Sequence, residues 1–237
     1  MIAEAIDKIL SLAAVEVQEI GEHSYTARPV HLVVPPDLAG VGLMTLTGLV
    51  DWIEARPDAL DLAGWILHVR SHQEVALIRR ATDIYGRRTM LAKTVLEDGT
   101  PFAFGRFMDR EEFIIGLQTR FVATSDLEEV LRLSSSLTAS TVTMAEDDGV
   151  SQRTTVKQGV ALKETVTVKG RVTLRPYRTF REIEQPASTF VFRLQSRDGV
   201  VPACGLFEAD GGTWKLDAVL AIKAWLAAKT LGMPIVA

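Results

Sequence analysis

The spacing of apolar residues changes near residue 137, and this change constrains the fold more than any other feature of the sequence. Directly before that point, between residues 109 and 136, apolar residues at steps of three and four predict helices, whereas alternation with a period of two predicts strands directly after it. Val142 and Met144, for example, alternate with threonines up to the Asp-Asp-Gly turn signal at 147–149. A chain with both patterns is typical of α+β proteins, in which antiparallel sheets pack against helices.

Several helix signals precede the change of period. Residues 2–20 place isoleucines and small apolar residues on one face, and we expect this helix to dock or to self-associate. Thr45 is a predicted N-cap of a brief helix that ends at Arg56-Pro57, because the residue before proline is disfavoured in helical geometry. Asp109 is the predicted N-cap of a further helix, and Ser125 opens another.

Strand signals occur in both halves of the chain. A short edge strand is predicted at 29–36, and four runs between 64 and 107 predict a small antiparallel sheet. Further strands are predicted at 150–157, 160–175, 178–184, 188–196 and 201–208, and a closing helix at 213–231. The expected architecture is therefore α+β, with a strand-rich C-terminal half closed by a C-terminal helix that lies across the sheet. The sequence divides into regions 1–136 and 137–237, or forms one continuous domain.

Charge is distributed unevenly along a chain whose net charge is only -4. Residues 1–62 contain ten acidic and three basic side chains, a net charge of -7, whereas residues 151–181 contain eight basic side chains and one acidic, a net charge of +7. Opposed blocks of this kind can pair within a fold, pair between subunits, or leave a basic surface free for phosphate.

Cysteine content and the N-terminal residues favour a cytoplasmic protein. The single cysteine, Cys204, cannot form an intrachain disulfide, and no Cys/His set has structural zinc spacing. Acidic residues interrupt the N-terminal apolar stretch, which therefore resembles neither a signal peptide nor a membrane span. We expect no membrane partner.

No motif in the sequence predicts a catalytic centre, a metal site or a cofactor. His68 and His72 are spaced for a metal on a helix but lie in a predicted strand and turn, which favours partly buried or turn histidines. The acidic residues at 146–148 fit turn chemistry better than a magnesium site. The serines at 134–136 lack a nucleophile elbow, and Cys204 lies among apolar residues, as a buried structural thiol does.

The basic block around residue 170 is the strongest candidate for a binding surface. In the run VKGRVTLR, basic residues alternate with apolar ones, so a strand would place every positive charge on one face. Two aromatic residues follow, interleaved with arginines, and a groove lined in this way can hold a single-stranded backbone and stack a base. The candidate partner-binding or nucleic-acid-binding residues are Lys169, Arg171, Arg175, Tyr177, Arg178, Phe180 and Arg181. A solvated face, pairing with the acidic N-terminal region and a subunit contact are the alternatives.

The order of segments resembles that of the YfdQ-like family of phage and prophage proteins. The resemblance depends on LTGLVDWIEARPD, YGRRTMLAKTV, RFMDREEFIIGLQTRFV and DLEEVLRLSSSLTAS, then on FVFRLQSRDG and the C-terminal run from LFEADGGTW onward. It covers most of residues 30–237 and depends on hydrophobic and turn patterns, without a catalytic signature. The resemblance implies a phage-encoded, cytosolic, non-structural accessory protein, and it carries over no functional residues.

Three functional hypotheses follow from the sequence. The first is a non-enzymatic accessory protein that forms a homo-oligomer and binds a host or phage macromolecule through its C-terminal half. The second is a single-stranded nucleic-acid-binding protein that uses the basic segment 151–181. The third is a nucleotide or phosphoester hydrolase whose metal ligands only the fold brings together.

Overall fold

A computed structural model describes residues 2–13, 17–26, 33–36, 39–57, 61–97, 99, 101–137, 142–147, 152–158, 162–168, 170–197, 200–230 and 232–237. The helices are α1 (Ile2–Ala13), α2 (Leu46–Ala55), α3 (Arg110–Arg120), α4 (Ser125–Ser136) and α5 (Trp214–Lys229). The strands are β1 (Val17–Ile20), β2 (His23–Thr26), β3 (Val41–Leu43), β4 (Trp65–Ser71), β5 (Glu74–Arg79), β6 (Met90–Val95), β7 (Phe107–Met108), β8 (Val142–Asp147), β9 (Gln152–Gln158), β10 (Leu162–Val168), β11 (Arg171–Leu174), β12 (Ser188–Arg197), β13 (Val200–Glu208) and β14 (Ile235–Val236).

These strands form four sheets in the part of the chain that the structure describes. β1 and β2 form a hairpin, and β8, β9 and β10 form a three-stranded antiparallel sheet. A four-stranded sheet has the order β11-β12-β13-β7, and a five-stranded sheet has the order β14-β4-β5-β6-β3 with parallel edge strands. The fold is α+β, as the sequence predicted.

Two apolar cores hold the helices against the two larger sheets. The first contains α3, α4 and the inner face of the four-stranded sheet, including the stacked rings of Phe113 and Phe192. The second joins α2 and α5 to the five-stranded sheet, so that α5 packs on β4. Both cores draw residues from either side of the predicted boundary near 136–139, and the division into two regions stays a prediction.

Side-chain caps fix the starts of the predicted helices. The Thr45 side chain accepts a hydrogen bond from the Gly48 amide, and the Asp109 carboxylate accepts one from the Glu112 amide. The helix expected to open at Ser125 does so, and Thr124 is its N-cap. Helix α2 ends where Arg56 adopts a left-handed conformation at φ 44°.

The N-terminal helix is shorter than predicted. It ends at Ala13, and residues 17–26 form the β1–β2 hairpin, with Gly21 at φ 65° in the two-residue turn. Glycine adopts this conformation without a Cβ clash, so the hairpin competes with continuation of the helix. Of the predicted edge strand at 29–36, residues 29–32 lie outside the described residues, and 33–36 have no regular secondary structure.

Three strand predictions need correction. The run 102–108 was expected in the N-terminal sheet, but only Phe107 and Met108 form a strand, which pairs with β13, because Gly105 at φ 76° interrupts the extended backbone. The single strand predicted at 160–175 is divided between β10 and β11, which belong to different sheets. Residues 178–184 form turns instead of a strand.

The side-chain amide of Gln185 explains the turns at 178–184. Its oxygen accepts hydrogen bonds from the backbone amides of Arg178 and Thr179, and its nitrogen donates to the Phe180 carbonyl at 3.0 Å. Gln185 is only 4% exposed. These bonds satisfy backbone groups that a strand would otherwise pair with a neighbour, so the loop is stable without a sheet partner.

Candidate functional site

The basic strand has the alternating faces that the sequence predicted. On β11, Arg171 and Thr173 are exposed, whereas Val172 and Leu174 lie in the first core. The open edge of the strand faces α4, and the Thr173 amide donates a hydrogen bond to the Asp126 carboxylate at 2.8 Å. Lys169, at the start of the predicted run, lies outside the described residues, as do the side chains of β9 and β10.

The chain beyond β11 is held against the end of α3. The Val122 amide donates to the Arg175 carbonyl, and the Tyr177 amide donates to the Arg120 carbonyl, both at 2.9 Å. Pro176 and Phe121 form a bridge between these two hydrogen bonds. This pairing places Arg120, which is distant in the sequence, beside Tyr177.

Arg175 forms an ion pair at the surface. Its guanidinium donates a hydrogen bond to the Glu184 carboxylate, and the two side chains are 37% and 76% exposed. An ion pair this accessible to water contributes little stability. The acidic partner comes from the C-terminal half, whereas pairing with residues 1–62 was one of the alternatives.

An ion pair, a hydrogen bond and an aromatic contact fix the side chain of Arg178. Its side chain is 11% exposed and forms an ion pair with Glu208, and its guanidinium also donates to the Ser188 hydroxyl. The guanidinium carbon lies 3.7 Å from the centroid of the Trp214 ring, a close cation–π contact. Burial lowers the pKa of Arg178 from its ordinary value, and the Glu208 carboxylate opposes that shift. These contacts make Arg178 a structural part of the site.

Phe180 does not face the solvent. It is fully buried in the second core, so the prediction that its ring could stack on a base is wrong. The turns stabilised by Gln185 direct this side chain inward, whereas continued strand geometry would have left alternate residues on an open face. Tyr177 is half-buried, and the guanidinium of the exposed Arg181 lies 3.9 Å from the centroid of its ring.

These elements surround a cavity of about 570 Å³, which we call the basic cleft. The cavity is lined by the end of α3, residues 99 and 101–104, residues 176–181, the end of β13 and the start of α5. Its lining residues are Gln73, Gly99, Pro101, Phe102, Phe104, Thr119, Arg120, Pro176, Tyr177, Arg178, Arg181, Glu208, Trp214 and Lys215. Four of these residues carry a positive charge and one carries a negative charge, so the lining is cationic and rich in aromatic rings.

The basic cleft unites only part of the predicted set. Tyr177, Arg178 and Arg181 line it, whereas Arg171 and Arg175 lie outside its lining. Sequence reasoning missed Arg120, Trp214 and Lys215, because the fold brings them to the cleft from distant segments. The one local signal was the Gly-Gly-Thr turn before Trp214, which marks the start of α5 but indicates no ligand.

One residue of the cleft lining, Trp214, has an unusual buried polar group. The residue is 5% exposed, and its indole nitrogen is buried with no hydrogen-bond acceptor among the described residues. His72 packs against the ring edge-on, with 4.7 Å between the ring centroids. Buried N–H groups without an acceptor are rare in folded proteins.

The other chemistry-bearing residues have structural surroundings. His68 lies in β4, His72 lies in the turn after it, and both are half-buried. Cys204 is buried beside Ser134, and burial raises the pKa of its thiol to about 12. The acidic side chains at 146–148 lie outside the described part of the chain. Among the described residues, no group of three or more His, Cys, Asp or Glu side chains could hold a metal ion.

Comparisons with known proteins provide no relative that would assign the cleft. No protein-family model matches the chain, and searches of curated proteins and of solved structures find no match either. The resemblance to the YfdQ-like family stays a prediction. None of the helices within the described residues is both long enough and apolar enough to span a bilayer.

Proposed function

We propose that the chain is a single-stranded nucleic-acid-binding accessory protein, encoded by a phage or prophage and acting in the host cytosol without catalysis. The observation that carries the binding role is the convergence of four cationic residues and several aromatic rings in the basic cleft. Single-strand-binding sites combine a positive groove for the backbone with aromatic or guanidinium surfaces on which bases stack. The phage origin and the location rest on the sequence resemblance and on the single, unpaired cysteine.

The contacts divide the cationic residues by role. Arg178 is committed to Glu208 and Trp214, so it shapes the cleft and keeps the indole in place. Arg181 and Lys215 are exposed, each near one aromatic ring, and a nucleic-acid backbone that binds them displaces water and counterions. The side of the Arg181 guanidinium facing away from Tyr177 is the stacking surface for a base, since guanidinium planes stack on nucleobases.

Arg171 extends the binding path beyond the cleft in this proposal. Its strand leads directly into residues 175–177, and its side chain lies on the exposed face of β11. An oligonucleotide longer than the cleft can therefore follow the basic face of the strand. The Arg175–Glu184 pair lies along the same segment and contributes no net charge there.

Fluorescence anisotropy with a labelled 12-nucleotide single strand tests this function. We expect salt-dependent binding, and an affinity at least about tenfold lower for the double variant Arg181→Ala/Lys215→Ala, because charge-assisted contacts to phosphate are lost. The control is Arg132→Ala/Lys223→Ala, which removes two exposed charges from residues outside the cleft lining. Equal loss in both double variants, or no binding by the wild type at low salt, would refute the proposal.

Self-association through α1 is a second proposed property, supported by the exposed apolar face of that helix. Ile2, Ile6, Ile9 and Leu10 are 80%, 51%, 64% and 62% exposed. Isolated helices shorter than about 12 to 15 residues are marginal in water, so a helix of 12 residues gains stability from a packing partner. The isoleucines follow steps of four and three, the spacing of a seam that packs against a copy of itself. The proposed occupant is therefore the same helix in a second copy of this chain.

Size-exclusion chromatography with light scattering tests the assembly. We expect an oligomer for the wild type and a monomer for Ile6→Glu/Ile9→Glu. The control is Leu216→Glu/Leu220→Glu, which alters two exposed leucines of α5 that are 60% and 53% exposed. A monomeric wild type at tens of micromolar would contradict this proposal and leave the nucleic-acid proposal intact.

A further inference from the structure

We infer that the basic cleft is a site for one nucleotide unit, in which the indole N–H of Trp214 donates a hydrogen bond to a ligand oxygen while Arg181 and Lys215 bind the phosphate. This inference rests on the proposed function and assigns the ligand class and the contacts of the cleft. A volume of about 570 Å³ is within the range of roughly 300 to 1,000 Å³ that small-molecule sites occupy.

The indole N–H is the most specific feature of the cleft. Trp214 lines the cavity, is 5% exposed, and has no acceptor for its nitrogen among the described residues. The indole nitrogen is a donor only, so the group that satisfies it has to be an acceptor such as a phosphate or carbonyl oxygen. A nucleotide supplies both kinds of oxygen, and the cationic lining favours a ligand with negative charge.

The ring of Trp214 is fixed before any ligand arrives. Arg178 covers one face at 3.7 Å, and His72 contacts the ring edge-on. Glu208 in turn holds the guanidinium of Arg178. The ring is therefore held in one orientation before a ligand binds. The N–H itself is buried, and a ligand oxygen reaches it once the side chains that cover it shift. Because Arg178 covers one face of the Trp214 ring, Trp214 serves this site as a hydrogen-bond donor. The base stacks instead on the guanidinium of Arg181, which itself lies over the Tyr177 ring.

The charged groups have the accessibility that a phosphate site needs. Arg181 and Lys215 are exposed, whereas the Arg120 guanidinium already donates to the Pro101 carbonyl at 2.8 Å. Asp210 lies near Arg178 and opposes anion binding there. The phosphate is therefore assigned to Arg181 and Lys215, the two cations of the cleft lining whose side chains are exposed.

Isothermal titration calorimetry with adenosine 5′-monophosphate, adenosine and inorganic phosphate tests the assignment. We expect the monophosphate to bind at least about tenfold more tightly than either fragment, because only the complete nucleotide uses both the stacking surface and the phosphate site. Equal affinity for inorganic phosphate would reduce the cleft to a simple anion site and overturn the inference.

Trp214→Phe tests the donor, because phenylalanine keeps an aromatic face for Arg178 and removes the N–H. We expect about tenfold weaker binding of the monophosphate, the loss of one hydrogen bond to a charged group. Trp225→Phe is the matched control, since Trp225 packs against the second core and does not line the cleft. Unchanged affinity of Trp214→Phe would mean that water satisfies the indole, which contradicts the inference.

Further measurements distinguish a folding defect from a failure of this inference, and a failure of this inference from a failure of the proposed function. Thermal unfolding establishes that each variant is folded, and Arg181→Ala, at an exposed position, tests the same site without changing a buried residue. Oligonucleotide binding that is insensitive to Trp214→Phe, with no binding of the monophosphate, would refute this inference alone. Monophosphate binding without oligonucleotide binding would instead refute the proposed function.

Discussion

The ion pair between Arg178 and Glu208 provides the most quantitative test of how the cleft is built. Replacing Glu208 by glutamine removes the negative charge but keeps an amide oxygen that can accept the hydrogen bond from the guanidinium. The substitution leaves the Arg178 side chain, which is 11% exposed, without its ion-pair partner. Arg178 then loses the larger of the two charge interactions that oppose the lowering of its pKa by burial.

The expected loss follows from the exposure of the two groups. Breaking a fully buried ion pair by removing one partner costs about 3 to 5 kcal/mol. Glu208 is 37% exposed, and Asp210 supplies a second negative charge near Arg178, so both reduce the loss. We expect the free energy of unfolding to fall by about 2 kcal/mol, which corresponds to a melting temperature lower by roughly 4 to 8 °C.

The chain offers a matched control for this measurement. Glu184→Gln breaks the Arg175–Glu184 pair, whose side chains are 37% and 76% exposed. An exposed pair contributes about 0 to 1 kcal/mol, so this variant should unfold nearly like the wild type. Chemical denaturation followed by circular dichroism compares the two variants. If Glu208→Gln and Glu184→Gln differ by less than about 0.5 kcal/mol, the reasoning about burial at Arg178 is wrong.

Three further predictions concern other parts of the molecule. Burial raises the pKa of Cys204 from 9.0 to about 12, so the contribution of the neutral thiol to the free energy of unfolding is complete below pH 9 and is lost as the pH rises toward 12. Alkaline unfolding experiments should show that Cys204→Ala removes this part of the pH dependence. Gly116→Ala should lower the free energy of unfolding by about 1 to 3 kcal/mol, because a Cβ would lie 2.8 Å from the Phe102 ring; a stabilised variant would show that this ring can move. If three cations contact phosphates, a plot of the logarithm of the single-strand binding constant against the logarithm of the salt concentration should have a slope of about -2. A slope near zero would exclude binding through the nucleic-acid backbone.

Local sequence patterns predicted the local structure well. The alternation in VTL before Arg175 gave the correct faces of β11, and Thr45 and Asp109 cap their helices as expected. These features depend on neighbouring residues only, which is why one sequence is sufficient to predict them.

The failures depend on contacts that the spacing of apolar residues does not reveal. Residues 178–184 have strand-like composition, but the Gln185 amide satisfies their backbone and turns Phe180 into the second core. The edge strands β3 and β14 pair in parallel with β6 and β4, a register that no local pattern encodes. Local signals are overridden wherever one buried polar group or one distant strand offers better pairing.

The sequence indicated the basic and aromatic character of the candidate site but not which residues form it. Two residues of the basic and aromatic run at 169–181, Tyr177 and Arg181, meet in the cleft. Arg120 and Lys215 had no sequence signal that linked them to this run, because backbone pairing at 175–177 and the packing of α5 bring them there. Charge patterning identifies a strand face, whereas the three-dimensional fold defines a cavity.

Ultraviolet cross-linking of the wild-type protein to a 4-thiothymidine oligonucleotide, followed by mass spectrometry of the peptides, tests the binding site most directly. We expect cross-links in the peptides that contain Tyr177 and Trp214, and we expect unlabelled single strands to reduce their yield by competition. Cross-links confined to other surfaces, such as the β1–β2 hairpin, would contradict the proposed binding site.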